Sequence, residues 1–336
     1  MPVLELRDLT VSYRTAAGEA RAVDGVSFAV EPGQYLGIVG ESGCGKSTIA
    51  KAIMGILPEN AATGGAILHE GQDLLALDRA ALNRIRWRRI AMVPQSAMHA
   101  LDPVYTVGRQ IEEAIEAHAP MPRAALRHRL EALFEMVGLS PARLGDHPHQ
   151  LSGGMRQRAM IAMAMALDPD LIVADEPTTG LDVIVQDQIL RRIKEIQERL
   201  GKAMLLITHD IAVVSENCDQ VVVMYAGRVM ERGSHAVLDE PFHPYTVGLV
   251  NAFPDLGGEA RDLISIPGAP PSLLAPPRGC RFAPRCPFAV DLCTEREPPL
   301  QEVAPGRLAA CHRLGDIALI RARGADPATW RAAAFS

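Results

Sequence analysis

Residues 40–47 read Gly40-Glu41-Ser42-Gly43-Cys44-Gly45-Lys46-Ser47, which meets G-x-x-x-x-G-K-[ST] at every fixed position. Just before them, Gln34 to Val39 (QYLGIV) is a short apolar run that predicts a strand, and Ser47 to Leu57 carries a helical pattern. The motif therefore lies between a strand and a helix, where a phosphate-binding loop belongs. Glycines let the backbone curl until successive N–H groups face phosphate oxygens, and the helix start adds the positive end of its dipole. This predicts nucleotide contacts at Gly40, Ser42, Gly43, Cys44, Gly45, Lys46, Ser47 and Thr48. Lys46 is expected to reach the β- and γ-phosphates, and the Ser47 hydroxyl to ligate Mg²⁺.

Working outward, Val3–Tyr13 and Ala22–Val30 have β-branched, alternating patterns of strands. The stretch from about Gln95 to Leu167 reads as mostly helical. Leu171–Ala174, Ala203–Thr208 and Val221–Tyr225 are short apolar strand candidates, with a helix over Val183–Leu200 between the first two. Apolar strands alternating with helices predict an α/β fold around a mostly parallel sheet covered on both faces. The composition agrees: 336 residues, 48% apolar, 22% charged and 4% aromatic. A net charge of −6 argues against a nucleic-acid partner. The N-terminus MPVLELRDL lacks the pattern of a secretory signal. The purest apolar run, Ala159–Leu167, falls far short of the roughly 20 residues that span a bilayer. A cytosolic chain that reaches a membrane only through partners is expected.

Leu171-Ile172-Val173-Ala174 delivers Asp175 and Glu176 to the end of a buried strand, the edge where open α/β sheets bind ligands. Asp175 is expected to hold Mg²⁺ and Glu176 to polarise an attacking water. A second anion-binding helix start follows from Leu151-Ser152-Gly153-Gly154-Met155, with Ser152 as cap. One nucleotide needs one such cradle from its own domain. Two cradles are explained if two domains pack head to tail, each lending its helix end to the other's γ-phosphate.

Together these residues resemble the ABC transporter ATPase family over roughly residues 3–250. Gly40–Ser47 looks like its Walker A, Gln95 its Q-loop, Leu151–Met155 its signature, Asp175-Glu176 the end of its Walker B, Leu181-Asp182 its D-loop, and His209 its switch histidine. The resemblance implies a P-loop NTPase with a RecA-like core, an antiparallel β subdomain and a helical signature subdomain at about 96–168. It implies ATP and Mg²⁺ as cofactors, with Mg²⁺ near Ser47, Gln95 and Asp175. Glu176, His209 and Gln95 are the implied catalytic residues, and Tyr13 the aromatic stacked on adenine. Ser152, Gly153, Gly154, Gln157 and Asp182 are the implied contacts to a partner's ATP. Cys44 departs from the serine common in relatives; a thiol near a helix start is expected to be acidic and reactive.

The longer string His147–Arg158, the His243-Pro244-Tyr245-Thr246 stretch, Phe253-Pro254 and the tail beyond are similar to the first ATPase subunit of dipeptide, oligopeptide and nickel importers. That similarity implies solute uptake, with a sister ATPase subunit, two transmembrane permease subunits and an extracytoplasmic binding protein as partners. The chain would then sit on the cytoplasmic face of the cell membrane. Peptides, nickel and glutathione remain open as cargo. The expected division is a nucleotide-binding domain over 1–253 and an extension over 254–336 that contains a proline-rich linker at 266–277. The extension holds Cys280, Cys286, Cys293 and Cys311 in a segment with few apolar residues. Four thiolates suit a [4Fe–4S] cluster, which relatives with this tail hold, or Zn²⁺; unligated thiols are the third reading.

Overall fold

The protein is described by a computed structural model covering residues 1–95, 100–252 and 264–333. In chain order its elements are β1 (Leu4–Thr15), β2 (Gly18–Val30), β3 (Tyr35–Val39), α1 (Lys46–Ile53), β4 (Ala61–His69), β5 (Gln72–Asp73), α2 (Arg79–Ile85), β6 (Ile90–Val93), α3 (Val107–Glu116), α4 (Arg123–Met136), α5 (Gly153–Ala164), β7 (Leu171–Asp175), α6 (Val183–Leu200), β8 (Ala203–Thr208), α7 (Ile211–Asn217), β9 (Gln220–Tyr225), β10 (Arg228–Ser234), α8 (Ala236–Asp239), α9 (Pro244–Asn251), α10 (Asp291–Glu295), β11 (Gln301–Ala304), β12 (Arg307–Ala309), α11 (Ile317–Gly324) and α12 (Pro327–Ala333).

The main sheet runs β11-β12-β10-β9-β3-β8-β7-β6. Its five strands from β9 to β6 are parallel, and every residue of β3, β7 and β8 is buried, which is why each reads as an unbroken apolar run. Parallel register aligns their C-terminal ends along one edge. A second, antiparallel sheet, β2-β1-β4-β5, packs its apolar face (Leu4, Leu6, Leu9, Val11, Val26, Phe28) with Ile38, Ile49 and Ile53 into one core. Strand β4 gave no clear sequence signal, because its run AATGGAILH carries two glycines where side chains would mark the period. Gly65 is there for space: it sits at φ +78°, and a Cβ would lie 2.4 Å from the carbonyls of Arg7 and Asp8.

Helices α3, α4 and α5 pack against one another. Val107, Ile111 and Ile115 of α3 lie on one face and join Leu126, Leu130 and Leu133 of α4 in the larger core. The first residues of the expected helical subdomain, 96–99, lie outside the described residues, as do Phe253-Pro254 and the expected division at 253/254.

The cysteine-bearing tail does not hang from the rest. Hairpin β11–β12 continues the main sheet beside β10, with Glu231 opposite Ala309 and Arg232 opposite Leu308. The proline-rich stretch is docked on β2, where the Arg21 N–H donates to the Leu273 carbonyl at 3.0 Å. Phe282 is wholly buried and its ring stands 5.3 Å from Tyr225, 5.3 Å from Tyr245 and 6.4 Å from Trp330, centroid to centroid. Such aromatic clusters contribute through buried area and edge-to-face geometry together.

At the same junction Glu231 is completely buried. Its carboxyl accepts the backbone N–H groups of Phe242 (2.8 Å) and His243 (3.0 Å), and Arg307 lies 3.8 Å away. Burial raises its pKa to about 7 against these favourable contacts. His243 is also buried, which lowers its pKa to about 3, and its neutral Nδ1 accepts the Tyr245 N–H at 3.0 Å. A raised carboxyl pKa means the folded protein binds a proton that the unfolded chain releases near pH 4.5. Its stabilising contribution is therefore present below that pH and is lost as pH rises to about 7. His243 runs the other way, costing stability as pH falls, so the comparison must be with a variant. Glu231→Gln, which removes the ionisation and keeps one of the two accepting oxygens, is expected to gain on the wild type in melting temperature between pH 5 and pH 7.5. A difference that stays constant across that range refutes the assignment.

Candidate functional site

The loop after β3 curls as its glycines allow. Gly40 sits at φ +157°, in extended backbone, and what reserves the position for glycine is space: a Cβ would lie 2.1 Å from the Met224 carbonyl. Gly45 caps α1 at φ +105° and is pressed against the Ala22 carbonyl, 2.2 Å from where its Cβ would be. Only glycine meets both demands. Lys46 is 4% exposed, and its Nζ donates to the carbonyls of Gly40 (2.6 Å) and Glu41 (3.0 Å). Ser42 and Gly43 form the exposed outer turn of the loop.

Strand β7 brings Asp175 to this loop, where the Ser47 hydroxyl donates to its Oδ1 at 2.9 Å. Burial raises the Asp175 pKa, with the Ser47 hydrogen bond opposing. A divalent cation at this pair would favour the ionised carboxylate. Glu176 follows at φ +44°, its N–H held by the Ile207 carbonyl at 2.8 Å. That left-handed backbone, strained for a residue with a side chain, turns the chain off the strand. Three side chains converge on the Glu176 carboxylate. Gln95 Nε2 and Thr179 Oγ1 each donate to Oε2 at 2.9 Å, and His209 Nδ1 stands 3.4 Å from Oε1. Residues 95, 176 and 209 thus meet although up to 114 positions separate them (209 − 95). Tyr13, half-buried on β1, donates to Thr48 Oγ1 at 3.3 Å, which brings it over the start of α1.

The second helix start has the expected local form and a different setting. Ser152 caps α5 by accepting the Met155 N–H at 3.3 Å, and Asp182 caps α6 by accepting the Val185 N–H at 3.0 Å. At Gly154 a Cβ would meet Val185 at 2.6 Å, so the glycine lets α5 approach α6 closely. Gln157 is buried, and among the described residues its Nε2 has no hydrogen-bond partner. Among the described residues no hydrogen bond joins Ser152, Gly153, Gly154, Gln157 or Asp182 to residues 40–47 or to Asp175 and Glu176. Val183 and Ile184, next to Asp182, are 80% and 72% exposed.

A family profile described as "ABC transporter" matches residues 23–179, and one described as "Oligopeptide/dipeptide transporter, C-terminal region" matches residues 230–293. The chain is 48% identical over 321 residues to a "Probable peptide ABC transporter ATP-binding protein" of Sinorhizobium fredii, covering 94% of this chain and 96% of that one. It is 44% identical over 314 residues to the "Oligopeptide transport ATP-binding protein OppD" of Escherichia coli, covering 93% of each. The chain is an ABC transporter ATPase. The fold agrees. A dimeric post-hydrolysis structure of the ATP-binding cassette MJ0796, bound to ADP and phosphate, superposes with a TM-score of 0.62 at 28% identity, covering 69% of this chain and 98% of that one. The structure of cbiO1 from Clostridium perfringens, part of an ABC transporter complex, gives 0.62 at 27%, covering 74% and 94%.

Two expectations about the cysteines of this ABC ATPase change. Cys44 is 3% exposed, and burial raises its thiol pKa despite the nearby Lys46. The helix start does not win, because the thiol is buried within the apolar core. In the tail, Cys280, Cys286, Cys293 and Cys311 line one cavity of about 10 Å³, enough for roughly one water. Burial raises the pKa of Cys280 and Cys311 to about 11. Among the described residues no three His, Cys, Asp or Glu side chains are placed to hold a metal ion, so the expected metal centre finds no support in this geometry. His312 is taken up by the Arg296 carbonyl, 2.8 Å from its Nε2. Among the described residues no helix is long and apolar enough to cross a membrane.

Thr179 was not singled out from sequence; it lies three residues beyond Glu176, the spacing of a turn that folds back. Cys44 is expected to react with iodoacetamide at neutral pH far more slowly than an exposed thiol, with ATPase activity kept through the exposure. Rapid inactivation that ATP prevents, and that Cys44→Ser abolishes, would restore the acidic-thiol reading.

Proposed function

We propose that this chain powers an importer for peptides by hydrolysing ATP at the site built from Lys46, Ser47, Asp175 and Glu176. The observation that carries the reading is the convergence of Gln95, Thr179 and His209 on the Glu176 carboxylate, beside the Ser47–Asp175 pair. In this reading the loop N–H groups and Lys46 hold the triphosphate, and Tyr13 stacks on adenine beside Thr48. Ser47, Asp175 and Gln95 would hold Mg²⁺, which would supply positive charge to the phosphates when bound. Glu176 orients the attacking water, and His209 steadies that carboxylate and reaches the γ-phosphate. Catalysis is positioning and electrostatic stabilisation, as in phosphoryl transfer generally.

The helix start at Ser152–Gly154, with Gln157 and Asp182, serves the ATP of a second ATPase subunit. Its separation from this chain's own loop and the exposed Val183 and Ile184 support that role. The names of the relatives favour peptides over nickel or glutathione as cargo. As the ATP-binding subunit of such a transporter, the chain would work with permeases and a binding protein, and the permeases would hold it peripherally at the cytoplasmic face. Domains 1–253 and 254–336 divide the labour between the motor and an extension packed against it. Glu176→Gln is expected to lower the steady-state ATPase rate of the assembled complex by about 10²-fold or more while ATP binding persists. A rate within a few-fold of wild type would remove Glu176 from its role. Uptake of radiolabelled oligopeptide, absent in the same variant, tests the cargo; uptake of nickel alone would reassign it.

A metal centre at the tail cysteines rests on donor chemistry alone: four thiols gathered around one cavity. Four thiols suit a [4Fe–4S] cluster, with zinc as the alternative. When bound, a cluster would cross-link the segment from Cys280 to Cys311. Anaerobic purification followed by iron and labile-sulfide assay is expected to give roughly four of each per chain, lost in Cys286→Ser. Protein without metal under those conditions leaves four free thiols.

A further inference from the structure

The tail reaches the phosphate loop through one side chain. Arg285, next to Cys286, is 7% exposed, and four of its five guanidinium N–H groups are engaged. Nη1 donates to Glu41 Oε2 at 2.8 Å and to the Tyr225 hydroxyl at 3.1 Å. Nε donates to the Pro267 carbonyl at 2.8 Å, and Nη2 to the Ile266 carbonyl at 3.1 Å. Glu41 is itself a residue of the loop. Its N–H donates to the Tyr245 hydroxyl at 3.0 Å, and its carbonyl accepts Lys46 Nζ at 3.0 Å. So one loop residue is gripped by the tail on its side chain, by α9 on its N–H, and by the phosphate-binding lysine on its carbonyl. An unpaired carboxylate at this position would repel a triphosphate and would be free to pull the loop out of shape. A planar guanidinium fork, always charged and nearly buried, cancels the charge and fixes the geometry.

We propose that Arg285 is a positioning residue for ATP binding, acting on the phosphate loop through its ion pair with Glu41. The inference rests on the loop being the nucleotide site, so Lys46→Ala serves as the control for that reading. The chain's affinity for a fluorescent ATP analogue is the first measurement, and the ATPase kinetics of the assembled complex the second. Arg285→Gln is expected to weaken ATP binding about tenfold and to raise KM for ATP similarly, with kcat within twofold. Adding Glu41→Gln removes the uncompensated carboxylate and is expected to restore affinity to within threefold of Glu41→Gln alone. A role confined to packing the tail predicts no such rescue, because the linker carbonyls stay unpaired in the double variant. Wild-type affinity in a folded Arg285→Gln, or a double variant as weak as Arg285→Gln, overturns the proposal. If Lys46→Ala also binds as wild type does, the nucleotide-site reading fails instead. Should Arg285→Gln not fold, Arg285→Lys decides. Its single ammonium must be shared among the same acceptors, so a several-fold loss relieved by Glu41→Gln supports the proposal and an unchanged affinity refutes it.

Discussion

Everything at the nucleotide site depends on the register of three parallel strands. Val39 of β3 lies opposite Thr208 of β8, and Ile207 of β8 opposite Asp175 of β7. That alignment ends the strands together, so the phosphate loop, the Asp175-Glu176 pair and His209 emerge along one edge although the sequence scatters them. A slip of one residue in any pair would turn the buried side chains of that strand to the opposite face and carry its site residue out of reach. The apolar runs of β3, β7 and β8 are therefore part of the site. Their burial holds the register, and the register places the chemistry.

The site's charges sit in the margin of the same core. Lys46 and Asp175 are almost without solvent, and each is compensated by short polar contacts: two carbonyls for the ammonium, one hydroxyl for the carboxylate. Burying ionised groups costs more than such contacts return, so the arrangement is incomplete without further charge. A triphosphate and a divalent cation supply it with matching signs. Glu176 is treated differently. It keeps some solvent access, with Gln95 and Thr179 donating to one oxygen and His209 Nδ1 3.4 Å from the other, which suits the water-orienting role proposed for it.

Much of this was legible in the sequence because local rules and the global fold agree. The glycine and lysine spacing at 40–47, the apolar run before Asp175 and the cap at Ser152 each state their conformation within a few residues. Where the reading fell short, the cause was non-local. Strand β4 hides its period behind Gly64 and Gly65, which are glycine because Arg7, Asp8 and Thr10 crowd them from another strand. The acidity expected of Cys44 followed from its place near a helix start, but the direction of its side chain, set by packing, decides the matter. The tail read as an appendage on composition, since prolines and cysteines give no sign that Arg281 reaches the Ala226 carbonyl and Asp24, or that Arg285 reaches Glu41. The contacts to Asp24 and Glu41 span more than 200 positions and leave no periodic trace.

The β11–β12 hairpin also has a bearing on solubility. Without it, β10 would be the terminal strand of a large sheet, offering unpaired N–H and C=O groups to any passing strand. With it, the terminus passes to β11, a strand of four residues whose first two are exposed and polar and which is followed by Pro305. Short length, charge and proline are the features by which natural sheets discourage edge-to-edge association. The cysteine-bearing segment thereby acts as a selvedge. A shortened chain that kept every nucleotide-binding residue would present a raw margin, and its failure would be one of aggregation before it was one of catalysis.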